Sequence, residues 1–147
     1  MIKDYRQKTI WLFALIWTAV IFSASLQNGA DSGHLSGNIT KAVLEFLNSL
    51  GIRLSFDDAH FLIRKAAHFS EYAVLGLLVT HAERKAPLLK SDALCIGLWM
   101  VTVPLMDEWI QHFVSGRYGA FADSLLDMCG FFCAWMLYTL FTKQKKQ

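Results

Sequence analysis

Several polar residues interrupt the apolar stretches of this sequence at spacings that put them on shared helix faces. Arg64, His68 and Glu71 are four and three residues apart, with His60 one turn before Arg64. Asp107 and Gln111 are four apart, with Glu108 beside them, and Asp123 and Asp127 are four apart, as are Ser23 and Gln27. At about 100° per residue, the stripe Arg64–His68–Glu71 falls within about 40° of one direction. These residue types support proton transfer. His68 suits a general acid or base, tuned by Glu71 or Asp127. Asp107 and Glu108 could bind a divalent metal or activate a water. Arg64 and Arg117 carry planar, permanently charged forks that fit phosphate or carboxylate. The candidate catalytic set is therefore His68, Glu71, Asp107 and Asp127, and the candidate binding set is Gln27, Arg64, Glu108, Gln111, Arg117 and Asp123.

The competing reading is structural: ion pairs such as Arg64 with Glu71, or Arg117 with Asp123, could simply fix helix packing. That accounts for one or two pairs. The acids Glu71, Asp107, Glu108, Asp123 and Asp127 outnumber the basic groups at the same level, Arg64, Lys65, Arg117 and His68 with His60 nearby. Such an excess calls for shared protons, water, a divalent metal or a cationic partner.

These residues must be positioned by membrane-spanning helices. The 147-residue chain is 54% hydrophobic and only 18% charged, against about 25% charged in an average soluble domain. The missing charge is concentrated in four apolar stretches, about 10–27, 66–82, 93–113 and 122–141, each near the roughly 20 residues that a spanning helix needs. With no repeat or linker, the expectation is one domain, 1–147. A net charge of +2 is too small to argue for nucleic acid. The first stretch follows Lys3, Arg6 and Lys8 as a signal peptide would, but no convincing cleavage site precedes a soluble domain, so it is expected in the mature protein. Cys95, Cys129 and Cys133 lack disulfide or zinc spacing and are expected to pack as small hydrophobes. Trp11 and Trp109 fall where interfacial anchors do.

Lys3, Arg6 and Lys8, then Arg84, Lys85 and Lys90, then Lys143, Lys145 and Lys146 flank the stretches on one side, which predicts both termini in the cytoplasm. The expected fold is all-α, with four transmembrane helices. A further amphipathic helix carries Leu35, Ile39, Val43, Phe46, Leu47 and Leu50, stops at Gly51, and lies at the outer interface or as a lid on the bundle. In this topology Ser23, Gln27, His68, Glu71, Asp107, Gln111 and Asp127 share one level of the outer leaflet. A charge in mid-span costs at least about 2.5–3.5 kcal/mol on insertion scales, so such a layer marks function. The loop Ser115-Gly116-Arg117-Tyr118-Gly119 lies at its mouth, its glycines expected to let backbone approach a ligand.

The same residues carry a resemblance. Phe22-Ser23-Ala24-Ser25-Leu26-Gln27, then Arg64-Lys65-Ala66-Ala67-His68-Phe69-Ser70-Glu71-Tyr72 with Leu75-Gly76, then Asp107-Glu108-Trp109-Ile110-Gln111 with Gly116-Arg117, and finally Asp123 and Asp127 with Gly130, resemble the VanZ-like family in order along nearly the whole chain. The resemblance implies a small multi-pass protein of the bacterial inner membrane, related to a namesake that accompanies glycopeptide-resistance operons and gives low-level teicoplanin resistance. It implies no established reaction. One departure is Val114-Ser115-Gly116 before Arg117, where the family often has a proline; a looser loop is expected.

Two functions fit these residues. One is an enzyme that modifies a lipid headgroup or a lipid-linked cell-envelope precursor; the other is a protein that binds such a lipid, or a lipoglycopeptide, without chemistry. Transport fits poorly, because the inner halves of the spans offer no polar path.

Overall fold

The computed structural model describes residues 2–144, with side chains over 9–142. The basic clusters at Lys3, Arg6 and Lys8 and at Lys143, Lys145 and Lys146 lie outside the described side chains. Among the described residues there are five helices and no strand: α1 (Ile2–Ser25), α2 (Gly29–Ser49), α3 (Phe56–Lys85), α4 (Asp92–His112) and α5 (Phe121–Gln144).

Local chemistry sets the helix ends. Asn28 accepts from the Asp31 N–H at the start of α2, Ser55 from the Asp58 N–H at the start of α3, and Ser91 from the Leu94 N–H at the start of α4. Acids occupy the first turn of α3 and Arg84 and Lys85 its last, as the helix dipole favours. After α2, Gly51 takes φ +80°, its N–H bonding Asn48 while the Ile52 N–H reaches Leu47. This is a Schellman stop, at the glycine expected from the sequence.

By length and composition α4 and α5 can each cross a membrane. The apolar part of α1 meets that test jointly with α2, from which it bends by 104° after Ser25. The long α3 is absent from these candidates; it carries Arg64, Lys65, His68 and Glu71 in its middle. Large apolar side chains such as Phe13, Ile16, Leu98, Leu105, Leu125 and Leu137 are exposed on the outer surfaces, an arrangement suited to lipid. Pro104 sits inside α4, a position more tolerated in membrane helices than in soluble ones.

α3 is the hub, touching all four other helices and α5 most extensively. Small residues permit that contact. A β-carbon at Gly76 would fall 2.6 Å from the Phe131 carbonyl oxygen, and one at Gly130 would collide with the Phe69 carbonyl. The two helices thus approach backbone to backbone. α2 packs on α3 through buried Thr40 and a 2.7 Å Ser36–His60 contact, yet leaves Leu35, Ile39 and Phe46 exposed. It is both lid and exposed apolar surface.

Trp11 is buried, and its indole N–H donates to the Ala86 carbonyl over 2.8 Å, tying α1 to the end of α3. Cys95 is buried, but Cys129 is on the exposed face of α5, because the close α3–α5 contact turns Gly130, not its neighbour, inward. A group not singled out from the sequence is Glu83, which is fully buried and accepts from the N–H groups of Leu88 (3.0 Å) and Leu89 (3.4 Å), closing the α3–α4 turn.

Gly76→Val should lower the stability of the full chain in detergent by about 1–3 kcal/mol through overpacking. Gly97→Ala, where a β-carbon meets nothing within 4 Å, should be neutral or stabilising. Thermal unfolding of the two variants, equal in outcome, would refute the α3–α5 contact.

Candidate functional site

Ser25 ends α1, His68 and Tyr72 lie midway along α3, Asp107, Glu108 and Gln111 stand near the end of α4, and Asp127 near the start of α5. α3 and α5 run side by side in the same direction, against α1, and this packing brings these positions together. Asp107 is 1% exposed and Asp127 fully buried. The Ser25 hydroxyl donates to Asp107 Oδ1 at 2.5 Å, while the Gln111 amide donates to Asp107 Oδ2 at 3.1 Å and to Ser25 Oγ at 3.3 Å. Asp107 is therefore well supplied with donors. The Tyr72 hydroxyl lies against it but has no hydrogen-bond partner.

Asp127 is not so supplied. His68 Nδ1 approaches its Oδ1 to 3.3 Å without hydrogen-bond geometry, and both Asp127 oxygens are otherwise unpartnered. Glu108 accepts from the Ala120 N–H through Oε2 at 2.7 Å, and its Oε1 is buried with no partner. One ligand atom from each of His68, Asp107, Glu108 and Asp127 lies within 4.8 Å of the other three. An imidazole and three carboxylates in this arrangement can share protons or hold a divalent cation.

Above this layer is a cavity of about 230 Å³ between the end of α1, α2 and α3. His68, Glu71, Ser25, Gln27, Arg64 and Arg117 supply its polar wall, and Leu35, Ile39 and Ile63 its apolar one. Glu71 is held through its carbonyl, which accepts from the Trp17 indole N–H at 2.9 Å. Arg64 is half-buried and, among the described residues, has no carboxylate partner. Arg117 donates through one terminal nitrogen to the carbonyls of Ala24 (2.8 Å) and Ser25 (3.2 Å), capping α1, and its Nε is buried without a partner. Burial, and then the neighbouring Arg64, push the Arg117 guanidinium below its ordinary value, opposed by Asp107, Glu108 and Glu71. Both guanidinium groups thus border the same cavity.

The candidate residues divide accordingly. His68, Glu71, Gln27, Arg64 and Arg117 line the cavity; Asp107, Glu108, Gln111 and Asp127 lie in the buried layer next to it. Asp123 does neither: it pairs with Lys65. The pairs considered on structural grounds, Arg64 with Glu71 and Arg117 with Asp123, do not form among the described residues, because Arg117 turns toward the open carbonyls of α1. Ser23 is exposed and bonds within its own helix to Ala19 at 2.6 Å, so Ser25 takes the place expected for it. The loop glycines stand at close backbone contacts. Gly116, at φ +73°, lies against Gly29, whose N–H donates to Ser115, and a β-carbon at Gly119 would strike the Glu108 carbonyl. Tyr72, not among the candidates, is four residues beyond His68 on the same face, a signal already present in the spacing.

The chain belongs to the VanZ/LLP1 family, whose pattern matches residues 10–142. That places it among membrane proteins, in keeping with its apolar helices. No curated protein and no solved structure matches it.

Ser25→Ala removes a donor from the buried Asp107 and should destabilise the full chain by about 1–3 kcal/mol. In an Asp107→Asn background the same substitution should cost clearly less, a coupling read from thermal unfolding of the four proteins. Additive losses would show that the 2.5 Å contact is not formed.

Proposed function

We propose that this chain is a four-span protein of the bacterial inner membrane, both termini cytoplasmic, whose outward-opening cavity binds the phosphate-bearing headgroup of a membrane lipid or lipid-linked envelope precursor. The observation that carries this reading is Arg64, half-buried, without a carboxylate partner among the described residues, and lining with Arg117 a cavity that is otherwise partly apolar. Two guanidinium groups bordering one cavity favour an anion there, and an arginine fork matches phosphate geometry. Leu35, Ile39 and Ile63 give an acyl or prenyl chain an apolar path beside that anion. α3 can serve as a span despite its charges because those charges face other helices and the cavity instead of lipid.

His68 and Glu71 stand in the same wall, within the reach of a headgroup seated on the arginines. This supports a second reading, in which the bound lipid is also modified: His68 moves a proton at the headgroup while the carboxylates beneath it stabilise the imidazolium. Binding without turnover needs only the arginines. An effect on glycopeptide susceptibility would follow from occupancy of the cavity by a cell-wall precursor.

Mass spectrometry of lipids retained by the full chain in mild detergent should recover phosphate-bearing lipid, and Arg64→Gln should lower that recovery about tenfold, the loss of roughly 1.4 kcal/mol or more. Equal recovery from both proteins would remove the basis of the reading. For the topology, a cysteine introduced by Tyr118→Cys should label from outside intact cells and one introduced by Lys90→Cys only after permeabilisation, with the native cysteines replaced. The opposite pattern would invert the proposed orientation.

A further inference from the structure

We infer that His68, Asp107, Glu108 and Asp127 form a binding site for one divalent first-row metal ion such as Mn²⁺, Fe²⁺ or Zn²⁺, set in the helix bundle immediately beneath the polar cavity. Three helices contribute: α3 supplies the imidazole, α4 two adjacent carboxylates and α5 the third. A donor atom from each lies within 4.8 Å of the others. Bonds of about 2.0–2.2 Å around an ion put its ligands roughly 3–4.4 Å apart, so side-chain movements of a few tenths of an ångström complete the shell.

The decisive observation is what these groups lack. Among the described residues, Asp127 is fully buried with neither oxygen hydrogen-bonded, its Oδ1 only facing His68 Nδ1 at 3.3 Å, and Glu108, 7% exposed, has Oε1 without a partner. Unpartnered buried carboxylate oxygens are costly. Each of these carboxylates has an oxygen within 4.8 Å of an imidazole nitrogen that can donate its lone pair. The remaining contacts resemble the outer shell of a metal site. Ser25 and Gln111 orient Asp107 by donating to its two oxygens, whose second lone pairs stay available, and the Ala120 N–H holds Glu108 Oε2, leaving Oε1 without a donor. The donor set is one nitrogen and three oxygens with no sulfur, which selects borderline and hard divalent ions over soft ones. Three carboxylates and a dipositive ion leave a single negative charge, and Arg117 lies close enough to Glu108 and Asp107 to interact with it.

His68 belongs both to this quartet and to the cavity wall, so an ion here would stand next to whatever occupies the cavity. The inference does not depend on that occupant. Its test is Mn²⁺ titration of the EDTA-treated full chain in detergent without added lipid, following free Mn²⁺ by electron paramagnetic resonance. One Mn²⁺ per chain should bind, with a higher unfolding temperature in its presence. Asp127→Asn and Glu108→Gln should each weaken binding by about tenfold or more. Glu108→Gln keeps an acceptor for the Ala120 N–H, so it carries the test should Asp127→Asn not fold. Asp31→Asn, at an exposed acid at the start of α2, should bind like the parent. Absence of stoichiometric binding in the parent, or equal affinity in the parent and the folded quartet variants, would overturn the site. A chain that takes up Mn²⁺ but retains no phosphate-bearing lipid would leave the site standing and overturn the headgroup reading alone.

Discussion

A carboxylate buried inside a helix bundle must be met there by donors, protons or a cation, since no water shell is available to it. In this protein the condition falls on Asp107, Glu108 and Asp127 together, on two helices, and much of the architecture follows from it. α1 must end at Ser25 for that hydroxyl to reach Asp107, and the chain must then turn sharply into α2, because a straight continuation would leave the layer uncovered. The turn exposes the terminal carbonyls of α1, and Arg117 supplies them with donors from the loop between α4 and α5. The acids and the arginine cavity are thus parts of one construction.

α3 shows how a helix at the centre of an apolar bundle can hold charge. Its polar residues do not scatter: Arg64, His68 and Glu71 turn to the cavity and Lys65 turns to Asp123 on α5, while Gly76 gives α5 close access two turns deeper. The glycine contacts matter beyond packing. Because Gly76 and Gly130 let α3 and α5 approach to backbone contact, His68 comes within 3.3 Å of Asp127. A wider helix separation would leave the same residues with water or lipid between them. Stability and site geometry therefore draw on the same interface, which separates substitutions that disturb the layer chemically from those that disturb it by spacing.

The free and the satisfied polar groups of the site fall into a pattern. Asp107 is held by two side chains, and one oxygen of Glu108 by a backbone N–H, whereas Asp127, the other oxygen of Glu108 and His68 Nδ1 have no hydrogen-bond partner among the described residues, Asp127 and His68 only facing each other at 3.3 Å. A network selected only for packing gains nothing from leaving such atoms unpartnered. Arg64 repeats the pattern on the cavity side with opposite charge. The two unsatisfied sets, one basic and one acidic, meet at His68, so a ligand with an anionic headgroup and an ion beneath it would complete both without moving the helices.

Much of this was legible in the sequence because helical periodicity and membrane depth are properties of single segments. The i, i+4 pair Asp107–Gln111 and the stripe Arg64–His68–Glu71 are enough to say which polar residues share a helix face, and Gly51 is an equally local signal. What the spacing could not decide was rotation and choice of partner. Ser25 rather than Ser23 meets Asp107, Lys65 rather than Arg117 meets Asp123, Trp11 is buried against the end of α3, and the loop glycines stand at close backbone contacts. Each of these depends on how one helix is turned about its axis against another, and that angle comes from glycine contacts between distant segments. Periodicity specifies which residues share a face; only packing decides what that face meets.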